Sequence, residues 1–597
     1  MNSTNNMAPQ ISGGDLIVEY LVREKVPYLF GVCGHGNIGF LDSAFKAKDR
    51  IKTVMTHHEQ TAGFMAEAYY KVSHQLVATY SSCGPGSCNM PVALASAMMD
   101  SAAYLAITGN VPTGQFNRNA FQESGKYFQA DFPSVIRPYV KRSFQPTRVE
   151  MLPLALKQAF GLMRTGRPGP VNIDVPLNLF VEQGAVQVPQ PDPPVAQRSP
   201  GDPAALQRAY AMLTGAGRPV IVAGQGALLS EASKELLRFA ELTGIPVATS
   251  PNGKGAIDET HDLALGPIGR NGSYAANGAS SKADVILALG FSFDDRACSA
   301  WLPGYTFSIP PSRLIQVDID ATEIGRNYPV ELGILADIRG FLVALIELAQ
   351  AAGARRRPDD AWMRGLRERR KVWDDYHAPL GASAATPIRP ERLVRALGNV
   401  LPEDAIVAAD VGSHHNWLVE LWPVRRPRHL LQSWGFGSMG FATSGILGAK
   451  LAVPDAPCVA VVGDGSFLMT PHAVATAVEY GIPVVWVVWN NFGFTSIRDL
   501  QLGAFKRELD SSFRRADTGQ LYSPDFASLA RSFGADGVRV EKPGDLEDTL
   551  RAALRSGRPS LVEVVIDREI RPVSTGGWEL PPLPPAEPNF EKLALGR

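Results

Sequence analysis

The chain has 597 residues, 45% of them hydrophobic and 20% charged, with a formal net charge of −1. That length exceeds what one hydrophobic core serves and implies three or four domains. The near-zero charge balance argues against a nucleic-acid partner or an anionic membrane surface, and no apolar run reaches the roughly 18 residues of a membrane span.

The opening "MNSTNNMAPQ" lacks the charged start and apolar core of a signal peptide, so the expected location is cytoplasmic. The five cysteines, at 33, 83, 88, 298 and 458, are scattered and have no zinc-type partners, which suits reduced thiols. Two breaks divide the chain. Residues 186–204, around "VQVPQPDPPVAQRSPGDP", are proline-rich and read as an extended linker. Residues 351–385 form a second linker with a charged helical piece near Trp362–Tyr376. Blocks 1–185, 205–350 and 386–575 remain, followed by a tail at 576–597. Each block alternates helical patterns with short apolar runs such as "QLVATYSS", "DVILALGF" and "CVAVVGDG". Runs without polar alternation are what strands buried on both faces look like. The expected fold class is therefore α/β, with three domains that each carry a parallel sheet flanked by helices. Ligands in such sheets sit at the carboxyl ends of strands.

In the first block, "FGVCGHGNIGFLD" sets His35 between Gly34 and Gly36, a loop suited to a phosphate, a metal or a simple turn. Further on, "VMTHHEQTAGFMAEAYYKVS" places Thr56 and Glu59 at the spacing of a capping box, so a structural and a catalytic role for Glu59 both stand. The most informative segment is "CVAVVGDGSFLMTPHAVATAVEYGIPVVWVVWNNFGF". It predicts a strand ending at Val462, a turn through Gly463-Asp464-Gly465, and a helix with Thr470 as N-cap and Pro471 first, closed by Gly481. A second strand, Pro483 to Trp489, leads into Asn490-Asn491. The 24 residues between Gly465 and Asn490 suit one βαβ unit and bring Asp464 and Asn491 side by side. A carboxylate and an amide oxygen form an incomplete oxygen cage, of the kind Mg²⁺ completes with phosphates and water. An ordinary turn capped by Asp464 is the alternative for "GDG" alone.

"GDGS", 24 residues and "NN" resemble the cofactor motif of the thiamine-diphosphate-dependent acetolactate synthase and pyruvate oxidase superfamily. The resemblance covers about residues 12–570. It implies a pyrimidine-binding first domain, a central domain and a diphosphate-binding third domain. It also implies that Asp464, Asn491 and the carbonyl of Gly493 hold Mg²⁺. Gly463, Gly465 and Ser466 then lie beside the diphosphate, joined by Val411, Gly412, Ser413 and His414 from "DVGSHHNW". In "SWGFGSMGFATSG" the backbone at Gly437 meets the aminopyrimidine and Met439 holds the cofactor bent. "HHEQTAGFMAEAYYKVS" followed by "YSSCGPGSCN" makes Glu59 the acid that contacts the pyrimidine ring. In this family that acid and the diphosphate site come from different subunits, which implies a homodimer or homotetramer. "GFSFDDRACSAW" and "VDID" resemble flavin-binding segments, with Asp294, Asp295, Arg296, Asp318 and Asp320 retained and Ser292 in place of an arginine. FAD and a vestigial domain with solvated ion pairs are both open there.

"AFQES" resembles acetolactate synthases and puts Gln122 near the reactive carbon, whereas about Leu500 stands where those enzymes carry a tryptophan. "GHGN", "GFTSIRDLQ" and "GGWELP" instead resemble the trihydroxycyclohexanedione and cyclohexane-1,2-dione hydrolases of the same superfamily. The expected activity is a 2-oxo acid decarboxylating carboligase, with cyclic 1,2-dione hydrolysis as the alternative and a non-catalytic paralogue as a third. The same resemblance implies that His35 lies on the substrate side of the site, where an imidazole gives or takes the substrate oxygen's proton, with a surface-turn histidine as the alternative.

Overall fold

The computed structural model describes residues 9–193, 198–354 and 360–597. Residues 1–8, which open the expected leaderless start, and 194–197 and 355–359 within the two expected linkers lie outside the described residues.

Three six-stranded sheets carry the chain, and every neighbouring pair of strands within them is parallel. The first runs, edge to edge, Lys52–Met55, Tyr28–Gly31, Ala78–Ser81, Leu105–Asn110, Val171–Pro176 and Ser143–Phe144. The third runs Leu430–Gln432, Ile406–Ala409, Cys458–Gly463, Val485–Asn490, Ser560–Val565 and Asp536–Val540. Numbered within each sheet, both have the order 2-1-3-4-6-5. The middle sheet runs Ala264–Pro267, Val247–Thr249, Pro219–Ala223, Val285–Leu289, Arg313–Asp318 and Leu332–Leu335, the doubly wound order 3-2-1-4-5-6. The central strands are buried on both faces, which is why their sequences show no alternation. Among the described residues no helix is long and apolar enough to cross a membrane.

The first and third domains share one continuous apolar core. Its seam is the helix Glu59–Ser73 against the helix Phe441–Ala452. Small residues on the second helix let the backbones approach, and a Cβ on Gly448 would stand 1.9 Å from the Met65 carbonyl oxygen. Beside this seam a buried charge knot joins all three domains. Lys71 Nζ donates to Glu67 and Asp100 at 2.6 and 2.9 Å. Asp100 also accepts from the backbone N–H groups of Trp434 and Gly435, and its carbonyl accepts from Gln225 of the middle domain. Burial works against the Lys71 ammonium, but Asp100 and Glu67 together hold its pKa above the usual value.

Two local expectations change. The N-cap of Glu59–Ser73 is His58, whose Nδ1 accepts from Gln60 N, while Thr56 Oγ1 donates to the His58 carbonyl. No capping box forms, and Glu59 is the first helical residue. The strand expected to end at Val462 continues to Gly463, the expected turn at Asp464-Gly465 is the start of a short helix Asp464–Phe467, and the helix expected from Pro471 begins two residues later, as Ala473–Glu479 with His472 at its N-cap. Thr470 is drawn off because its hydroxyl donates to the Gly440 carbonyl, tying this turn to the next strand-end loop.

The close approach at Gly448 leaves no room for a methyl group. Gly448→Ala is expected to destabilise the protein by about 1–3 kcal/mol, read as a lower urea midpoint with an unchanged slope.

Candidate active site

In the third sheet the order reverses at the strand Ile406–Ala409, between Leu430–Gln432 and Cys458–Gly463, which makes its C-terminal end a ligand-binding crevice. Asp464 follows the strand Cys458–Gly463, and its register neighbour Val485–Asn490 delivers Asn491 beside it. Asp464 Oδ2 accepts from Asn491 N at 3.2 Å and Gly493 N at 3.0 Å, and Oδ1 accepts from Gly465 N at 2.7 Å. Gly493 has φ +146°, and a Cβ there would meet the Ser511 carbonyl at 2.3 Å, so only glycine lets this turn close. Asn491 Nδ2 donates to Thr495 Oγ1 at 2.9 Å and reaches Ser413 Oγ at 3.4 Å, which leaves Oδ1 as its acceptor end. Burial pushes Asp464 up to about 6 against those backbone donors.

The flanking loop supplies donors. Ser413 Oγ meets Thr495 Oγ1, and Ser466 Oγ donates to the Val411 carbonyl at 2.8 Å. The His414 ring lies 3.0 Å from where Gly463 would carry a Cβ, and packs against Gly412 in the same way. Its Nε2 is buried without a hydrogen-bond partner, and burial pushes the imidazole down to about 3, so the ring is neutral. Gly437 has φ +70° with open space where a side chain would stand, and Met439 is half-buried next to it.

These features fit a metal-bound diphosphate. A carboxylate, an amide oxygen and a carbonyl are hard donors, too few to complete a shell without phosphate and water. Among the described residues no group of three or more His, Cys, Asp and Glu side chains forms a self-sufficient metal cluster. The Ser413 hydroxyl, which can donate away from Thr495, suits an anionic oxygen, and the buried His414 Nε2 stands beside it without a partner.

The first sheet has its own reversal, at the ends of Tyr28–Gly31 and Ala78–Ser81. His35 opens a short 3-10 turn after the first of these, and Cys83 follows the second. His35 is exposed, with Nε2 3.5 Å from Cys83 Sγ and its ring 5.4 Å from that of Phe121. Gln122, held at φ +60°, sets Oε1 3.9 Å from the same sulfur. Burial pushes the Cys83 thiol up, so it stays protonated and serves as a weak donor between the two. Glu59 is buried; its Oε2 accepts from Asn89 Nδ2 at 2.9 Å and Oε1 lies beside Gly86. Three of the residues singled out in the first block thus gather around one pair of strand ends. Leu500 lies half-buried on the helix Thr495–Phe505.

In the middle domain the five singled-out residues separate. Arg296 donates to Asn416 at 2.9 Å and stacks 4.2 Å above the Trp434 ring, while Asp294 caps its own turn through Ala297 N. Both face the third domain, and Asp295 is exposed. Asp318 instead lines a cleft of about 570 Å³ at the middle sheet's reversal, together with Gly226, Gly290 and Arg167. Asp320 lies beside it, its N–H donating to Asp318 Oδ1 at 2.9 Å.

Two residues escaped the sequence reading. Cys83 counted as one of five scattered thiols, and nothing local marks it as the bridge between His35 and Gln122. Asp410, at the end of Ile406–Ala409, accepts from the backbone N–H groups of Gly440, Ala442 and Thr443. It caps the helix that follows Met439. An aspartate at a buried strand end before "VGS" was the available signal.

Three parallel sheets, one with an oxygen-donor cage and another with an acid and an imidazole at its strand ends, define a three-domain α/β enzyme. Residues 11–130 match the thiamine pyrophosphate enzyme N-terminal TPP binding domain, residues 206–345 the central domain, and residues 410–564 the C-terminal TPP binding domain. The chain is 33% identical over 574 residues to the probable acetolactate synthase large subunit of Methanocaldococcus jannaschii, covering 93% of this chain and 92% of that protein. It is 31% identical to the acetolactate synthase isozyme 3 large subunit of Escherichia coli, covering 93% and 95%. The corresponding subunit of Haemophilus influenzae is 32% identical, with 91% and 92% covered. The chain belongs to the thiamine pyrophosphate (thiamine diphosphate) enzyme family.

Asp410→Ala strips three buried N–H groups of their acceptor. The expected result is a stability loss of about 1–3 kcal/mol and weaker thiamine diphosphate binding, read by urea denaturation and by fluorescence titration. Asp410→Asn should recover part of both.

Proposed function

We propose that the protein is a Mg²⁺- and thiamine-diphosphate-dependent carboligase of acetolactate-synthase type, which decarboxylates a 2-oxo acid such as pyruvate and joins the remaining fragment to a second carbonyl. The observation that carries this reading is the convergence of Asp464, Asn491 and Gly493 at one sheet reversal. The names of the relatives supply the reaction class.

When bound, thiamine diphosphate supplies a thiazolium that stabilises carbanion character next to a carbonyl. Asp464 and Asn491, with the Gly493 carbonyl, hold Mg²⁺ and through it the diphosphate. Ser413 donates to the phosphate oxygens, while Ser466, whose hydroxyl is engaged by the Val411 carbonyl, and the neutral His414 ring shape the loop around them. The backbone at Gly437 and the side chain of Met439 orient the rest of the cofactor. Glu59, with Oε2 fixed by Asn89, holds a proton for the pyrimidine ring on Oε1. His35 and Gln122 face the substrate, and the His35 imidazole moves a proton to or from its oxygen. The middle-domain cleft at Asp318 is where FAD would sit, and its role there would be structural, because carboligation involves no net redox change. The Asp294–Arg296 turn joins that domain to the Trp434 loop.

The working unit in this reading is a homodimer or a dimer of dimers. Glu59 and Thr61 lie on different sides of their helix. Thr61 meets Ser444 and His472 of its own chain's third domain, whereas Glu59 turns to Asn89 and Gly86. A third domain from a second copy would complete the site at Glu59.

Pyruvate is expected to yield CO2 and a 2-hydroxy-2-methyl-3-oxo acid. Ring opening of cyclohexane-1,2-dione, with no CO2 released from pyruvate, would overturn the assignment in favour of dione hydrolysis. His35→Ala and Glu59→Gln are each expected to lower kcat by about 10²–10⁴-fold while thiamine diphosphate affinity largely persists. Equal losses in rate and affinity would make either residue structural.

A further inference from the structure

A second cleft, also about 570 Å³, lies where the middle domain, the helix Ala361–Gly381 and the third domain meet. Its polar lining is unusual. Glu420, at the end of the helix Ser413–Leu421, is 5% exposed, and neither carboxylate oxygen has a hydrogen-bond partner among the described residues. Glu391, on the helix Pro390–Val400, is 4% exposed; Arg389 donates to its Oε1 at 2.9 Å and its Oε2 is unpartnered. His377 Nδ1 lies 2.9 Å from the Trp373 carbonyl, which can only accept, so Nδ1 carries the proton and the unpartnered Nε2 is an acceptor. Three helices therefore bring buried acceptors without donors to one cavity, an arrangement that folding disfavours unless something fills it.

The cations of the lining already have partners. Lys254 donates to both oxygens of Glu259, at 2.8 and 2.9 Å. Arg370 donates to the carbonyls of Glu259, His261 and Ala264, and Arg395 to that of Ala378. An anionic ligand would meet engaged donors. A bare metal ion would need converging ligands, and among the described residues no such cluster exists. Separated acceptors suit a group whose N–H donors point in several directions, and the rings of Trp373 and Trp422 with Leu421 offer an apolar wall.

We propose that this cleft binds a small organic cation, an ammonium or guanidinium on a short apolar stem, paired with Glu420 and Glu391 and donating to His377 Nε2. Nothing in the proposed catalytic reading uses these residues. Burial, with Glu391 close by, holds the Glu420 carboxyl well above the usual carboxylate range. On the facing helix burial also lowers the His377 pKa and raises those of Asp374 and Tyr376, and Arg370 is held by backbone carbonyls. Burial thus favours the neutral carboxyl and a neighbouring cation the ionised one, so where Glu420 carries a proton, the entering cation exchanges that O–H bond for an ion pair and the proton passes to the solvent.

The test is calorimetric titration of the full-length protein with agmatine, which carries both an ammonium and a guanidinium. Saturable binding, one agmatine per chain, is expected, with a heat that varies with the buffer's ionisation enthalpy where a proton is released. Affinity should rise as pH rises towards 8, and n-butanol and butyrate should not bind. Glu420→Gln should cut affinity at least tenfold. The proposal is overturned if agmatine does not bind at millimolar concentration, if n-butanol or butyrate binds as well as agmatine, or if Glu420→Gln binds equally well. The n-butanol and butyrate comparison uses the unaltered chain, so it decides the matter even should the variant fail to fold.

Discussion

A buried ion pair organises this molecule. Asp100 lies at the C-terminal end of the helix Pro91–Met99 with 1% of its surface exposed, where an ionised carboxylate persists only if every lone pair is engaged. Lys71 of its own domain and the Trp434 and Gly435 N–H groups of the third domain meet that demand, while Gln225 of the middle domain donates to the Asp100 backbone carbonyl. Moving the third domain would leave charge buried without partners, and moving the middle domain would strip a carbonyl of its donor. The loop from Ser433 to Met439 is thus pinned at its start by Asp100 and just beyond its end by Asp410. Between these two carboxylates the chain is free to expose Gly437 and the face of Met439.

The same economy governs the cofactor region. Parallel sheets send all their carboxyl ends to one side, and a reversal in strand order opens a crevice there. The first and third sheets share a strand order, and each carries its polar residues at the corresponding reversal. One crevice gathers acid and imidazole, the other oxygen donors and hydroxyls. The middle sheet opens its cleft at the equivalent place, with Asp318 at the rim. Three crevices result because each sheet supplies one.

Much of this was legible in the residues. Buried parallel strands announce themselves as unbroken β-branched runs, so "CVAVVGDG" and "PVVWVVWNN" located their strands to within a residue or two, and with them the meeting of Asp464 and Asn491. Local capping was less legible. Thr56 and Thr470 carry cap-forming hydroxyls, but each finds a backbone carbonyl instead, one of them across a long stretch of chain. Spacing alone favours the nearest partner, and the folded chain offers better ones. The segment "FDDR" could not be divided by reading it: Asp294 and Arg296 are drawn to Trp434 and Asn416, more than a hundred residues away.

By itself the sequence determined the three α/β domains, the positions of their strands and the residue types waiting at the strand ends, because burial pattern and turn chemistry are local properties. Only the tertiary structure decided which of those ends face one another. It placed Cys83 between His35 and Gln122, turned Glu59 away from the third domain of its own chain, and left Glu420, Glu391 and His377 as buried acceptors around one cleft. These outcomes depend on how helices from distant parts of the chain pack. A buried polar atom gains or loses its partner in that packing, and no spacing along the chain records the result.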